Sequence, residues 1–326
     1  MSLIKISNLL KKEIVELLQL LSGDTQFEEM VRYPLLSPDR PLSLHLSQSR
    51  WTMLPIIVCH SICGQYDPAV PVAASVGFFQ TAADVFDDIE DSDSTKSVAS
   101  RYGQAEATNA ATTLLMLGQI ALAKLPEKGV SSDITVAVIS EISKYSITAC
   151  IGQHQDIRHN TDPLISEESY LKTISMKSAA QVECASRVGA MVATNDQELI
   201  DTFTVFGHNL GMAAQIVNDI QGITEANLTR NDITTRAVTL PVIYALATAE
   251  GQDKQLLDSI YSGNDSATPE AIEKVKQVLY NSGAIHYSVV LMETYRQKAL
   301  TALKKAQEIG ADVDILINLL EELKKQ

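Results

Sequence analysis

Between Leu9 and Leu21 apolar residues return every three or four positions, at Leu9, Leu10, Ile14, Leu17, Leu18 and Leu21. That period wets one face of a helix and buries the other, so it predicts a first amphipathic helix. The pattern breaks over Arg32–Ser49, where Pro34, Pro38 and Pro41 favour loop or short turns. Two largely apolar stretches follow, Trp51–Tyr66 and Pro68–Ala83, and then helical periods over Ala105–Leu125, Ile134–Gln155, Ser166–Ala193, Gln197–Ile223 and Thr239–Ala249. Ser166 ahead of Glu167 and Glu168, and Thr268 ahead of Pro269 and Glu270, read as capped helix starts. Gly251, Gly263 and Gly283 mark stops. No alternating run predicts a strand, no repeat has a period of roughly 20 to 50 residues, and no Pro-, Gly- or Ser-rich linker divides the chain. The expectation is an all-α fold of ten or more helices in a single domain over residues 1–326.

Composition agrees, because 15 Gly and 10 Pro in 326 residues leave few helix breakers. The balance of 26 Lys+Arg against 40 Asp+Glu gives a net charge of −14, which opposes sequence-independent binding to nucleic acid or anionic lipid. The uncharged runs Trp51–Tyr66 and Pro68–Ala83 hold 16 residues each and are interrupted by residues such as Pro55, His60 and Pro71. A membrane-spanning helix needs about 20, so these read as core helices. Met1–Ser7 shows no apolar leader segment, and a cytoplasmic protein is expected. Cys59, Cys63, Cys150 and Cys184 are too scattered for a disulfide framework. Cys59, His60 and Cys63 lack a second pair to complete a zinc set, and the two thiols read as small buried hydrophobes one turn apart.

The sharpest local feature is Asp84-Val85-Phe86-Asp87-Asp88-Ile89-Glu90-Asp91, at the end of an apolar run. On a helix Asp84, Asp87, Asp88 and Asp91 share one face, and like charges at that spacing repel. Acids at a helix C-terminus also meet the negative pole of its dipole. A bound cation removes both penalties, and an oxygen-only set favours Mg²⁺; the alternative is a solvated acidic helix end. A second segment, Gln215-Ile216-Val217-Asn218-Asp219-Ile220-Gln221-Gly222, again ends an apolar helical stretch. By itself its Asn-Asp pair fits a cap or turn.

Together the two segments resemble the aspartate-rich motifs of the trans-polyprenyl diphosphate synthase family, which has the isoprenoid synthase fold. Asp87 to Asp91 looks like the first motif, Gly152-Gln153-His154-Gln155-Asp156 like the family's Gly-Gln-x-x-Asp helix, and Gln215 to Asp219 like the second motif. Glu168 to Ala193, with Tyr170, Lys177-Ser178 and Gly189-Ala190, looks like the helix whose Lys-Thr pair reaches a diphosphate. Asp232-Ile233 followed by Thr239 to Leu246 looks like the segment after the second motif. Several departures stand out. Where chain-elongating members carry a Gly-Lys-x-x-Arg-Pro run for isopentenyl diphosphate, this chain reads Arg50-Trp51-Thr52-Met53-Leu54-Pro55, and the family's Arg-Arg is Lys96-Ser97. The second motif has Asn218 and Gly222 in place of its first and last acids, and the family Lys five places after Asp232 is Ala237, preceded by Arg236. These losses resemble the ComQ-type isoprenyltransferase subgroup, as do Asp87 to Asp93, Asn109-Ala110-Ala111, Gly152-Gln153-His154, and Tyr287 with Leu291 to Lys298.

The resemblance implies an all-α helical barrel around a central cavity, in a homodimer, holding three Mg²⁺ ions against an allylic prenyl diphosphate. Asp87, Asp88 and Asp91 are the implied metal residues of the first motif, and Asn218 and Asp219 those of the second. Lys96, Lys177, Gln215 and Arg236 are implied at the substrate, with Asp87, Asp91 and Lys177 central to catalysis. Bulky side chains just before the first motif close the family's chain pocket. Here those places are Ala82 and Ala83, so Phe79 deeper on the helix is expected to form the floor and to admit C15 or C20, unless both Phe78 and Phe79 face a neighbouring helix. His154 and His208 read either as bases or as core histidines, and Tyr170 and Tyr244 either as cation-facing rings or as core. The implied activity is transfer of the prenyl group to a non-standard acceptor, a precursor-peptide tryptophan in the subgroup. A class I terpene cyclase, an ordinary polyprenyl diphosphate synthase and a non-catalytic subunit stay open as alternatives.

Overall fold

The computed structural model describes residues 3–36, 50–91, 97–159, 165–224, 232–261 and 268–323, and all regular structure among them is helical. The α-helices are α1 Leu3–Leu18, α2 Thr25–Leu36, α3 Arg50–Cys63, α4 Val70–Asp91, α5 Val98–Tyr102, α6 Gln104–Ala123, α7 Ser132–His159 and α8 Glu167–Ile174. They continue with α9 Ala180–Met191, α10 Gln197–Thr224, α11 Asp232–Thr235, α12 Leu240–Thr248, α13 Gly251–Tyr261, α14 Pro269–Asn281, α15 Ala284–Glu308 and α16 Asp314–Leu323. Between α8 and α9 lies one π-helical turn, Ser175–Ala179.

By internal contacts the chain forms two compact units. The first comprises Met1–Ser146, Cys184–Thr204 and Leu303–Leu316. Its centre is the pairing of α4 with α6, where Phe78, Ala82, Val85, Ala110 and Leu114 are fully buried. α1 buries Ile6, Leu10 and Ile14, as its apolar period predicts, and Lys124 after α6 ties it down through Glu13 at 2.6 Å and Glu16 at 3.1 Å. Arg32–Leu36 departs from the predicted loop and is the last part of α2, with Pro34 inside the helix. The Asp24 carboxylate accepts the Phe27 N–H at 3.0 Å and Arg32 pairs with Glu28 at 2.7 Å, so the helix is held through its first turns and continues past the proline to Leu36. The remainder of that loop, 37–49, lies outside the described residues. Cys59 is buried as expected, whereas Cys63 is exposed and donates to the Cys59 carbonyl at 3.3 Å.

The second unit comprises Ile147–Glu183, Val205–Ala302 and Ile317–Gln326. In it α12 separates two clusters. Val242 and Ala245 pack with Leu257, Ile272, Val275 and Leu279, while Leu240 and Ile243 pack with Tyr170, Ile174, Ile216 and Val217. Each such aliphatic side chain contributes about 1.5–3 kcal/mol when fully buried, which holds the starts of α12 and α8 beside α10. The predicted caps are present: Ser166 accepts from the Ser169 N–H and Thr268 from the Ala271 N–H, both at 3.2 Å. Gly283, with φ 80°, ends α14 as predicted. Gly251 does not end a helix: with φ 56° it enters α13, and α12 has already stopped at Thr248. Gly263 lies outside the described residues.

Among the described residues two helices, Asp67–Glu90 and Ser132–His159, are long and apolar enough to cross a membrane by length and composition. For Asp67–Glu90, 72% of the apolar window is buried, so packing accounts for its apolarity. The window in α7 is only 17% buried, which leaves residues such as Val136 on the surface.

Candidate active site

α4 runs unbroken through the first acidic segment, so Asp84, Asp87, Asp88 and Asp91 do occupy one helical face. Along it Asp84 is exposed, Asp87 half-buried and Asp88 buried. The Asp91 side chain and all of Lys96 lie outside the described residues. Earlier on the same helix, the half-buried ring of Phe79 lies against α6, where a Cβ at Gly118 would stand 2.8 Å from its edge. The Phe79 ring is thus in contact with α6.

The second unit assembles a polar layer from α7, α8, α10 and the chain that enters α12. Asp219 on α10 is 2% exposed, and both its oxygens accept bonds. Gln215 donates to Oδ1 at 3.0 Å, and the buried Tyr170 hydroxyl and, at 3.5 Å, the Leu240 N–H donate to Oδ2. Leu240 is the first residue of α12, so that N–H belongs to the positive pole of a helix. Burial pushes the Asp219 carboxyl up to about 6 despite these three donors. Asp232, at the start of α11, stands directly over Gly222: a Cβ at 222 would lie 2.5 Å from its carboxyl carbon. Burial and the neighbouring Asp219 charge push Asp232 up to about 7. Asn218 is exposed.

Lys177 sits in the π-turn and reaches Asp156 on α7 at 2.6 Å. Arg236 follows α11 in the left-handed conformation, φ 59°, uncommon for a residue with a side chain. The layer thus brings Gln215 and Asp219 together and pairs Lys177 with Asp156. Three participants are absent from the site residues that the sequence assigns: Tyr170, Asp156 and Asp232. Their signals are a tyrosine seven places before Lys177, the acid of Gly-Gln-x-x-Asp, and a glycine where an acid is expected. Neither histidine joins them, for His154 is exposed and His208 pairs with Glu183 at 2.9 Å. Tyr244 stacks on Tyr287 with ring centroids 4.5 Å apart, and Tyr287 donates to Glu167 at 2.6 Å.

The donor set fits Mg²⁺. Every candidate ligand is a carboxylate or amide oxygen, and burial disfavours the ionised forms of Asp219 and Asp232, which a cation would stabilise. Among the described residues no three acidic, imidazole or thiol groups converge on one point. That suits an ion that binds one or two carboxylates and completes its shell with water and phosphate oxygens.

The polyprenyl synthetase family model matches residues 48–279. Over 252 residues the chain is 28% identical to geranylgeranyl diphosphate synthase of Mycobacterium tuberculosis, covering 74% of this chain and 71% of that one. Over 241 residues it is 26% identical to the tryptophan prenyltransferase ComQ of Bacillus subtilis, covering 73% and 76%. Among solved structures, geranylgeranyl pyrophosphate synthetase from Pyrococcus horikoshii superposes with a TM-score of 0.83 at 23% identity, over 98% of this chain and 97% of that one.

Proposed function

This chain belongs to the polyprenyl synthetase family and is a prenyltransferase of all-α isoprenoid synthase fold, and we propose that it ionises a C15–C20 allylic prenyl diphosphate and transfers the prenyl group to an acceptor other than isopentenyl diphosphate, a peptide tryptophan in the reading we favour. The observation that carries the proposal is α3. Where family members that elongate chains hold isopentenyl diphosphate, Thr52, Met53 and Leu54 are buried in the core, and Arg50 is the segment's one cation. A second diphosphate finds little charge there. Similarity to a tryptophan prenyltransferase supports an indole as the acceptor.

The family is generally Mg²⁺-dependent. Asp87, Asp88 and Asp91 on α4, and Asp219 with Asn218 and Gln215 on α10, are the residues that hold the ions, three in this reading, with Asp232 added in the space that a side chain at 222 would fill. Bound there, Mg²⁺ supplies electrostatic stabilisation of the departing diphosphate. Lys177 exchanges its Asp156 partner for a diphosphate oxygen, one charge-assisted bond for another, and Lys96 and Arg236 add further donors. The allylic C–O bond breaks with its electron pair on the diphosphate. The acceptor carbon then bonds to C1 of the allylic group, and the acceptor's proton passes to the released diphosphate.

Incubation with C10, C15 and C20 diphosphates, with and without isopentenyl diphosphate and a tryptophan-containing peptide, tests the reading by product analysis. A prenylated peptide is expected, with elongation slower by at least about 10-fold, the effect of losing one charged contact. Efficient elongation returns the chain to the ordinary synthases, and a cyclic hydrocarbon formed from the donor alone assigns it as a cyclase. Donor length is checked in the same assay. Gly118→Ala forces the Phe79 ring off α6 and is expected to shift the preferred donor by about one isoprene unit, roughly a helical turn of 5.4 Å. An unchanged preference removes Phe79 from the floor of the pocket.

The reading further takes residues 1–326 as one functional domain, since the family match draws on both compact units. It places the enzyme in the cytoplasm as a homodimer. Met116 and Ile120 on α6 and Val136 on α7 are exposed apolar positions that self-association would cover. Sedimentation velocity is expected to show a dimer, and Val136→Glu to shift it toward monomer.

A further inference from the structure

We propose that the π-turn Ser175–Ala179 is an aiming device for Lys177, seated between two positions without side chains, and that Gly152 and Gly211 are positioning residues for that lysine. The proposal rests on the reading that Lys177 contacts the donor's diphosphate.

Helix α8 closes at Ile174 and α9 opens at Ala180; between them the Ala180 N–H donates to the Ser175 carbonyl, five residues back. A π-turn carries an extra residue, so it is wider than an α-turn and bulges from the helix. The bulge is flanked on two sides. On α7, a Cβ at Gly152 would stand 2.7 Å from the Met176 carbonyl carbon and 2.8 Å from the Lys177 Cα. On α10, a Cβ at Gly211 would stand 2.7 Å from the Ala179 Cα and 3.1 Å from its Cβ. These are mainly backbone atoms of a helical turn and cannot swing aside as the tip of a long side chain can.

Neither glycine is among those with positive φ, so backbone conformation does not require them. Both lie inside long helices, where glycine is disfavoured against alanine. Space for the bulge is what they provide. The turn is also satisfied internally, for the Gln181 side chain donates to the Lys177 carbonyl at 2.9 Å. Asp156, which receives the Lys177 ammonium at 2.6 Å, is four residues beyond Gly152 and on the same face of α7. One helix thus supplies both the seat of the turn and the partner of its lysine. If the extra residue were squeezed out, the turn would revert to α-geometry and swing Lys177 by about 100°, the step of one residue.

A double-mutant cycle tests this, with Mg²⁺ and inorganic pyrophosphate as the probe and calorimetric affinity as the readout. Gly152→Ala and Gly211→Ala are each expected to weaken pyrophosphate binding by at least about 10-fold when Lys177 is present, and by less than about 2-fold in the Lys177→Ala background. Circular dichroism and thermal melting establish that each variant is folded. Equal weakening in both backgrounds overturns the proposal, because the glycines then act on the fold and not through Lys177. If Lys177→Ala itself leaves affinity unchanged, the reading beneath the proposal fails and the proposal with it. Should both glycine variants fail to fold, amide hydrogen exchange of the unaltered chain decides. A seated turn exchanges slowly at 175–179 before ligand and changes by less than about 3-fold on adding Mg²⁺ and pyrophosphate; large protection appearing only with the ligand overturns pre-aiming.

Discussion

Asp87→Ala is expected to lower turnover of a C15 diphosphate by at least about 10²-fold, the scale on which loss of one electrostatic stabiliser of a developing charge is felt. α4 continues as helix to Asp91, which keeps Asp87 and Asp91 one turn apart on the acidic face. Two carboxylates at that spacing repel unless a cation lies between them. The deficit of the variant should appear in turnover and in the Mg²⁺ concentration needed for half-maximal rate, in a protein that still melts cooperatively. Steady-state kinetics across a Mg²⁺ titration, beside a melting curve, measures both. Full activity, or a lost activity matched by a lost fold, removes Asp87 from the metal-holding set.

The acidic face of α4 was legible because repulsion among neighbours in sequence is also repulsion in space: helical periodicity alone places those acids together. The layer in the second unit was not, because its members come from six elements, α7, α8, the π-turn, α10, α11 and α12, and their relations are tertiary. Gly222 reads in sequence as a lost acid, and only the fold shows the Asp232 carboxylate over the space it leaves. The period over Ser166–Ala193 reads as one helix, since a five-residue π-turn changes the apolar phase too little to be seen against two flanking α-helices. Pro34 and Gly251 mislead for different reasons. Pro34 is carried inside α2, held by the turns before it, whereas Gly251 does mark a helix boundary but opens α13 rather than ending α12, and which side it occupies depends on φ, which hydropathy does not encode.

In chelator, the melting temperature is expected to fall as pH rises from about 5 to 8, and Asp232→Asn to remove most of that fall. Folding raises the Asp219 carboxyl to about 6 and that of Asp232 to about 7, from 3.8 for a free aspartate. Between 3.8 and those values the folded chain holds protons that the unfolded chain has released. Stability therefore declines with rising pH: the contribution is fully present below the unfolded value and is lost as the folded groups ionise. The two titrate as a pair, so the effect belongs to both and is on the order of a few kcal/mol. Replacing Asp232 by Asn keeps the shape over Gly222 and deletes the carboxyl that burial and the Asp219 charge raise. The metal-free variant should then melt above the unaltered chain at pH 8, by a few degrees for a chain of this size. Mg²⁺ should raise the melting temperature of the unaltered chain at pH 8 and that of the variant by much less, because the cation and the amide relieve the same buried charge. Parallel pH profiles for the two proteins place the titration elsewhere, and an equal response to Mg²⁺ removes Asp232 from the residues that hold it.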